Sequence, residues 1–160
     1  MRSTSFKISI STLVFASMLS FSSAATTADS VKQRLDERAI KHEIDADGDF
    51  KITYNYKKEN RTQLIFVSHK TETVNNFVIR EIFSPTAKLK ASGIDGTKAL
   101  ELMAESRKNK LGSWEIDGDV LYFVIKLPDS ISASELEAAM DIAAETADDM
   151  ELKLTGKDEL

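Results

Sequence analysis

Hydrophobic and polar positions along the chain change period several times, and each change marks an element. From Ser30 to Lys41, Val31, Leu35 and Ala39 share one face at helical spacing, and Asp29 or Ser30 stands where a cap is needed. A strand-like stretch then runs through Ile44 to a turn at Asp47-Gly48. Beyond it Phe50, Ile52, Tyr54 and Tyr56 alternate with polar residues, the period-two signature of a half-buried strand. "KKEN" predicts a turn, "QLIFVSH" a strand apolar on both faces, and "FVIREIF" a further strand ended by Ser84-Pro85. Helical spacing returns from Thr97 to Lys110, where Leu100, Met103, Ala104 and Leu111 form a stripe with Leu102 pointing away from it. Gly112 suits the end of that helix. "SWEIDGDVLYFVIKLP" predicts a hairpin turning at Asp117-Gly118. The last helix opens at Ser132 with a capping box to Glu135. It carries a stripe of Leu136, Ala139, Met140, Ala143, Ala147 and Met150.

The pattern as a whole predicts an α+β fold: an antiparallel sheet of about five strands with three helices, in the order α-β-β-β-α-β-β-α, plus a short extra strand before the first turn. No Pro- or Gly-rich linker divides residues 26–154, which read as a single domain followed by a polar tail at 155–160. Residues 1–25 have the order of a secretory leader. Arg2 and Lys7 come first, then an uncharged stretch from Ile8 to Phe21, then Ser22-Ser23-Ala24-Ala25. That stretch is too short for a membrane anchor. The expected location is periplasmic or secreted, with no anchor once the leader is removed. The C-terminal Lys157-Asp158-Glu159-Leu160 spells an endoplasmic-reticulum return signal, so the ER lumen is the alternative in a eukaryote. There Asn60-Arg61-Thr62 would be a glycosylation acceptor.

The chain is acidic, at −5, and losing Arg2 and Lys7 with a leader makes it more so. This argues against a general nucleic-acid binder, which needs a basic face to displace counterions. The absence of cysteine excludes disulfides, thiolate metal sites and cysteine nucleophiles.

Asp45, Asp47 and Asp49 alternate as the ligands of a calcium loop do. Counted from Asp45, however, the sixth position is Phe50 where an EF-hand needs Gly, and the twelfth is Tyr56 where it needs a bidentate Glu. The acidic stretches therefore read as turns, with Asp45, Asp47 and Asp49 kept as weak metal candidates. Gly48, Gly112, Asp117 and Gly118 are the expected structural turn residues. His42 and His69 are too few for a zinc site of their own. No nucleophile motif, phosphate-cradling glycine loop or zincin motif occurs, so no catalytic residue and no cofactor is expected. "ADDME" near the chain's end reads as a solvated face and Trp114 as a packing residue.

The strands carry more apolar residues than a sheet with one wet face needs. Phe77, Ile79, Phe83, Leu121, Phe123, Ile125 and Leu127 are assigned to one face. Val78, Ile82, Val120, Tyr122 and Val124 go to the other. Either helices cover both faces or the second face meets a partner. The expected partner or dimer surface is Val78, Ile82, Leu102, Val120, Tyr122 and Val124.

Three stretches, "IKHEIDADGDFKITY", "ALELMAESRKNKLGSWEIDGDVLYFVIKLP" and "ISASELEAAMDIAAETADDM", carry a likeness to a known family. Over residues 30 to 152 the chain resembles the YbjN family, bacterial proteins with a fold like that of type III secretion chaperones. Asn109, Leu111, Gly112 and Trp114 match that family's helix-end run. The resemblance implies a non-enzymatic adaptor or chaperone-like protein, as in members labelled sensory transduction regulators. It also implies a dimer that binds extended segments of client proteins, and this chain is expected to be a homodimer recognising a protein or peptide through a sheet face or edge. The leader sets this chain apart from cytoplasmic secretion chaperones. A small-ligand or cation-binding domain built on the acidic turns is the alternative reading, and a hydrolase with a minimal site the third.

Overall fold

The computed structural model describes residues 27–57 and 60–157, so the leader read at 1–25 and the end of the KDEL tail lie outside the described residues. The elements are α1 (Thr27–Glu37), β1 (Glu43–Ile44), β2 (Phe50–Tyr56), β3 (Arg61–Val67), β4 (Glu72–Val74), β5 (Phe77–Lys88), α2 (Gly96–Ser106), β6 (Ser113–Asp117), β7 (Val120–Pro128) and α3 (Ala133–Thr155). The strands form one antiparallel sheet in the order β1-β2-β3-β5-β7-β6, with β4 alongside β5. The sheet has seven strands rather than about five. β4, which the sequence pattern did not predict, is three residues long. It hangs on a turn in which Asn75 takes a left-handed φ of 53°, a conformation asparagine tolerates.

All three helices lie on one face. α3 crosses β3, β5 and β7, α1 packs on α3, and α2 rests against β6. The whole apolar stripe foreseen on α3 is buried, and the Ser132–Glu135 capping box forms. α1 is held by Val31 and Leu35, both fully buried. Ala39, expected on the same stripe, is exposed, because α1 ends at Glu37 and Ala39 turns the chain at φ 54°. Trp114 is a core residue, set edge-on to Phe123 with ring centroids 5.0 Å apart. "ADDME" is not a solvated face. Asp148 and Glu151 are buried, and Asp148 pairs with Arg61 at 2.9 Å.

β5 departs most from expectation. It continues past Ser84-Pro85 to Lys88. The register sets Ile82 opposite Ile125 and Ser84 opposite Phe123, on the helix-covered face, while Phe83 lies opposite Val124 and Pro85 opposite Tyr122 on the other. The two faces of β5 are thus exchanged relative to the reading from alternation. Polar Arg80, Ser84 and Thr86 point inward with Ile82 and are buried, and Ile79, Phe83 and Pro85 point outward.

Two polar arrangements make this possible. Arg80, 1 % exposed, donates from Nε to Asp129 Oδ1 at 2.5 Å and from Nη1 to the Ser68 carbonyl. Arg34 of α1 donates to the same Asp129 oxygen at 2.9 Å and to the carbonyls of Asp129 and Ile131. One carboxylate thereby joins β5, α1 and the loop before α3. Farther along, the β3–β5 ladder is limited to Phe66–Phe83 and Val67–Ile82. Pro85 has no N–H to donate, and the register slips between Pro85 and Ala87. Side chains take over there: Gln63 Nε2 donates to Ser84 Oγ and to the Pro85 carbonyl, both at 2.8 Å, and Ser84 Oγ donates to the Leu64 carbonyl at 2.7 Å. A proline inside a strand is tolerated because the ladder on that side has already parted.

Two turn assignments also move. α2 ends at Ser106, so Gly112 does not cap it. Gly112 instead leads into β6 at φ 82°, with Phe123 and Ile125 so close that a Cβ would lie 2.6 to 2.8 Å from their side chains. In the β6–β7 hairpin Asp117 pairs with Val120, leaving Gly118-Asp119 as the two-residue loop. Only the first of these has positive φ, as in a type II′ turn.

Burial pushes the Asp129 carboxyl up, but hydrogen bonds and charge from Arg80 and Arg34 overcome it and hold the group below the ordinary aspartate value. A depressed folded-state value stabilises the fold above the unfolded aspartate pKa, about 3.9, and that stability is lost as pH falls through the folded value. The urea midpoint should therefore fall as pH is lowered below about 4, and Asp129→Ala should cost about 3–5 kcal/mol at neutral pH by leaving buried guanidinium charge uncompensated. Gly112→Ala should cost about 2–4 kcal/mol in the same assay, combining left-handed strain with overpacking against Phe123.

Candidate protein-binding surfaces

The acidic turns are built for the backbone. Asp45 Oδ1 accepts the N–H groups of Asp47 and Asp49, both at 2.9 Å. Asp49 Oδ1 accepts the His69 backbone N–H at 2.8 Å and lies 2.9 Å from His69 Nδ1, tying the β1–β2 turn to the end of β3. Gly48, at φ 92°, completes the turn with the His69 ring against it. Among the described residues no group of three or more His, Asp or Glu side chains is arranged to hold a metal ion.

The sheet face opposite the helices carries no helix among the described residues. Cross-strand pairing lays it out in rows. One row runs Lys51, Phe66, Phe83, Val124, Ser113, and the next includes Pro85, Tyr122 and Glu115. Leu64 faces the same side from β3. The middle of both rows, over β3, β5 and β7, is apolar. Phe66 stacks on Phe83 at 5.2 Å and 9°, and Phe83 meets Tyr122 edge-on at 6.0 Å. Burial, and then the charge of Asp117, raise the Tyr122 phenol above its ordinary value, so it remains a hydrogen-bond donor at neutral pH.

Charge bounds this band. On one side Lys126 contacts Glu115 at 2.9 Å and Glu81 at 3.5 Å across three strands. At the far corner stand Asp117 and Lys88. Past the Lys126 row, a cleft of about 560 Å³ opens beside β4, floored by Val74, Phe77 and Ile79. Phe77 is 66 % exposed.

A second apolar surface lies on α2. Of its eleven residues only Leu102 is buried, whereas Leu100 and Met103 are 66 % and 67 % exposed. Monomer contacts hold the helix lightly. Asp95 caps its N-terminus, Ser106 Oγ accepts the Trp114 N–H at 2.9 Å, and Glu105 pairs with Lys153 of α3 at 2.8 Å. Neighbouring β6 pairs only with β7 among the described residues, so its outer edge is unpaired by this chain, and it carries Ile116, also exposed.

These surfaces redraw the expected partner residues. Val120 and Tyr122 lie on the open face as expected, and Val78 is exposed near the β4–β5 turn. Val124 faces the same side but is covered by its neighbours. Ile82 and Leu102 do not belong to a surface, because both are in the core: Ile82 faces α3, and Leu102 is the one α2 side chain that reaches Trp114's layer. The stripe of Leu100, Met103, Ala104 and Leu111 is exposed: α2 lies at the sheet margin and presents only Leu102 inward, and Leu111 lies beyond its end. Phe66, Leu64, Phe83 and Pro85 were not foreseen as surface. The signal for Leu64 and Phe66 was present in the alternation of "RTQLIFV" once Gln63 is allowed an inward place.

Compared with solved structures, this chain is similar to a chain of the HopA1–SchA chaperone–effector complex, at 10 % identity and a TM-score of 0.54, over 77 % of this chain and 91 % of that one. It is also similar to a chain of the Yersinia pestis type III secretion chaperone SycH in complex with a stable fragment of YscM2, at 12 % identity and a TM-score of 0.50, over 81 % and 100 %. No protein-family model matches the chain, and no curated protein matches it. At these identities the likeness is one of fold: the chain has the α+β fold of type III secretion chaperones.

Because the carboxylates of Asp45 and Asp49 already accept backbone and His69 donors, adding millimolar calcium should leave the melting temperature unchanged. A rise that disappears in Asp47→Ala would show a cation at the turn.

Proposed function

We propose that this chain is an exported, non-enzymatic, chaperone-like module that binds a protein partner on the uncovered face of its sheet and works as a homodimer assembled through α2 and β6. The observation that carries the reading is the aromatic band of Phe66, Phe83 and Tyr122 on a sheet whose helices all lie on the other side. An apolar patch of this kind, rimmed by charge, is what a protein-binding surface offers. The fold supports the reading, since the two similar structures are chaperones solved with an effector or a protein fragment. The YbjN-like stretches and the leader at residues 1–25 support a bacterial protein acting in the periplasm or outside the cell, with the ER lumen as the alternative suggested by KDEL.

The dimer rests on α2. A helix of eleven residues is marginal in water unless packing holds it, and here packing in the monomer buries one side chain. A second copy meeting Leu100, Met103 and the outer edge of β6 would cover the helix and complete the sheet edge.

Light scattering should give the mass of a dimer for residues 26–160, and the double substitution Leu100→Asp, Met103→Asp should give a monomer that still unfolds cooperatively. Phe83→Asp should keep the dimer and lose the partner recovered by crosslinking from the native compartment. A wild-type chain monomeric at its highest soluble concentration would remove the dimer, and a partner retained by Phe83→Asp would remove the face.

A further inference from the structure

Resting on the reading of the open face as a partner surface, we infer that its occupant is an amphipathic α-helix of the partner, lying across β3, β5 and β7, rather than an extended segment. The reason is backbone hydrogen bonding. β7 is paired on both sides, with β5 and with β6, and β5 is paired with β3 at Phe66–Phe83 and Val67–Ile82, so around Phe83 and Val124 the backbone N–H and C=O groups are used within the sheet plane. The band itself offers Phe66, Phe83, Leu64 and Pro85, none of which has a polar side-chain atom, and the single phenol of Tyr122. An extended segment buried there would lose water from its backbone without replacement, at about 1–3 kcal/mol for each unsatisfied group. A helix satisfies those groups internally and brings only side chains to the contact.

Dimensions agree. Neighbouring strands are about 4.8 Å apart and a helix rises about 5.4 Å per turn, so a helix crossing the strands sets roughly one apolar residue over each. Three strands call for anchors at i, i+4 and i+7.

Three synthetic peptides of sixteen residues and one composition test this: one with leucines at i, i+4, i+7 and i+11, one with the same leucines alternating, and the first with a central proline. The helical peptide should bind the dimer, gain helical circular dichroism on binding and, carrying a photocrosslinker, label β3, β5 and β7. The other two should bind at least about tenfold more weakly, a factor that one buried unsatisfied group accounts for. Phe83→Asp and, as a second variant should that one fail to fold, Tyr122→Glu should each weaken the helical peptide about tenfold or more. Tighter binding of the alternating peptide, labelling the same strands, would overturn the helix and leave the open face standing. Labelling elsewhere, unaffected by both folded variants, would overturn the face as well. Dissociation of the dimer by Phe83→Asp would make the occupant a second copy and overturn the inference.

Discussion

The rest of the structure depends on one half-buried carboxylate. Asp129 receives Arg80 from the middle of the sheet and Arg34 from the first helix. Burying a guanidinium is costly unless it is paired and its donors are satisfied, and here Arg80 also donates to the Ser68 carbonyl. That requirement fixes which way Arg80 points. Because side chains alternate along a strand, it fixes the whole of β5: once Arg80 is inside, Ile82, Ser84 and Thr86 are inside, and Ile79, Phe83 and Pro85 are outside.

The apolar open face follows from this. Had β5 been set the other way, Phe83 would have joined Phe123 in the core and the outer face would have carried Arg80, Ser84 and Thr86, an ordinary wet surface. Instead, polar groups occupy the interior, kept tolerable by Gln63, Ser84 and the Arg80–Asp129 pair. Aromatic residues are left where Phe66 and Tyr122 can meet them. The arrangement exchanges apolar burial in the core for apolar surface on the open face. α2 shows the same tendency on a smaller scale, with one side chain inside and two large ones outside.

Much was legible from local signals. The capping box at Ser132, the stripe on α3, the alternation in β2, the Asp45–Asp49 turn and the β6–β7 hairpin each arise from interactions within a few residues, which sequence displays directly. The candidate surface was legible in part. An excess of apolar strand positions announced that one face would be left over, and Val120 and Tyr122 were placed on it. Which residues of β5 join them was not legible, because alternation gives two sets without saying which is inside. The apolar set was the natural choice for the core. Leu102 was misplaced for a similar reason: its helix has apolar residues on two sides, and only its position at the sheet margin selects one.

The sequence by itself determined the class of fold, the order of most elements, the Asp45–Asp49 turn, the acidic character and the absence of cysteine chemistry, since each is written in neighbouring residues or in totals. Tertiary structure alone decided the facing of β5, the burial of Asp148 and Glu151, the close contact that reserves position 112 for glycine, and hence the identity of the open face. The physical reason is distance along the chain. Arg80 and Asp129, Gln63 and Ser84, Arg61 and Asp148, and Gly112 and Phe123 meet only after folding, and no local pattern weighs a buried charge against a partner that far away.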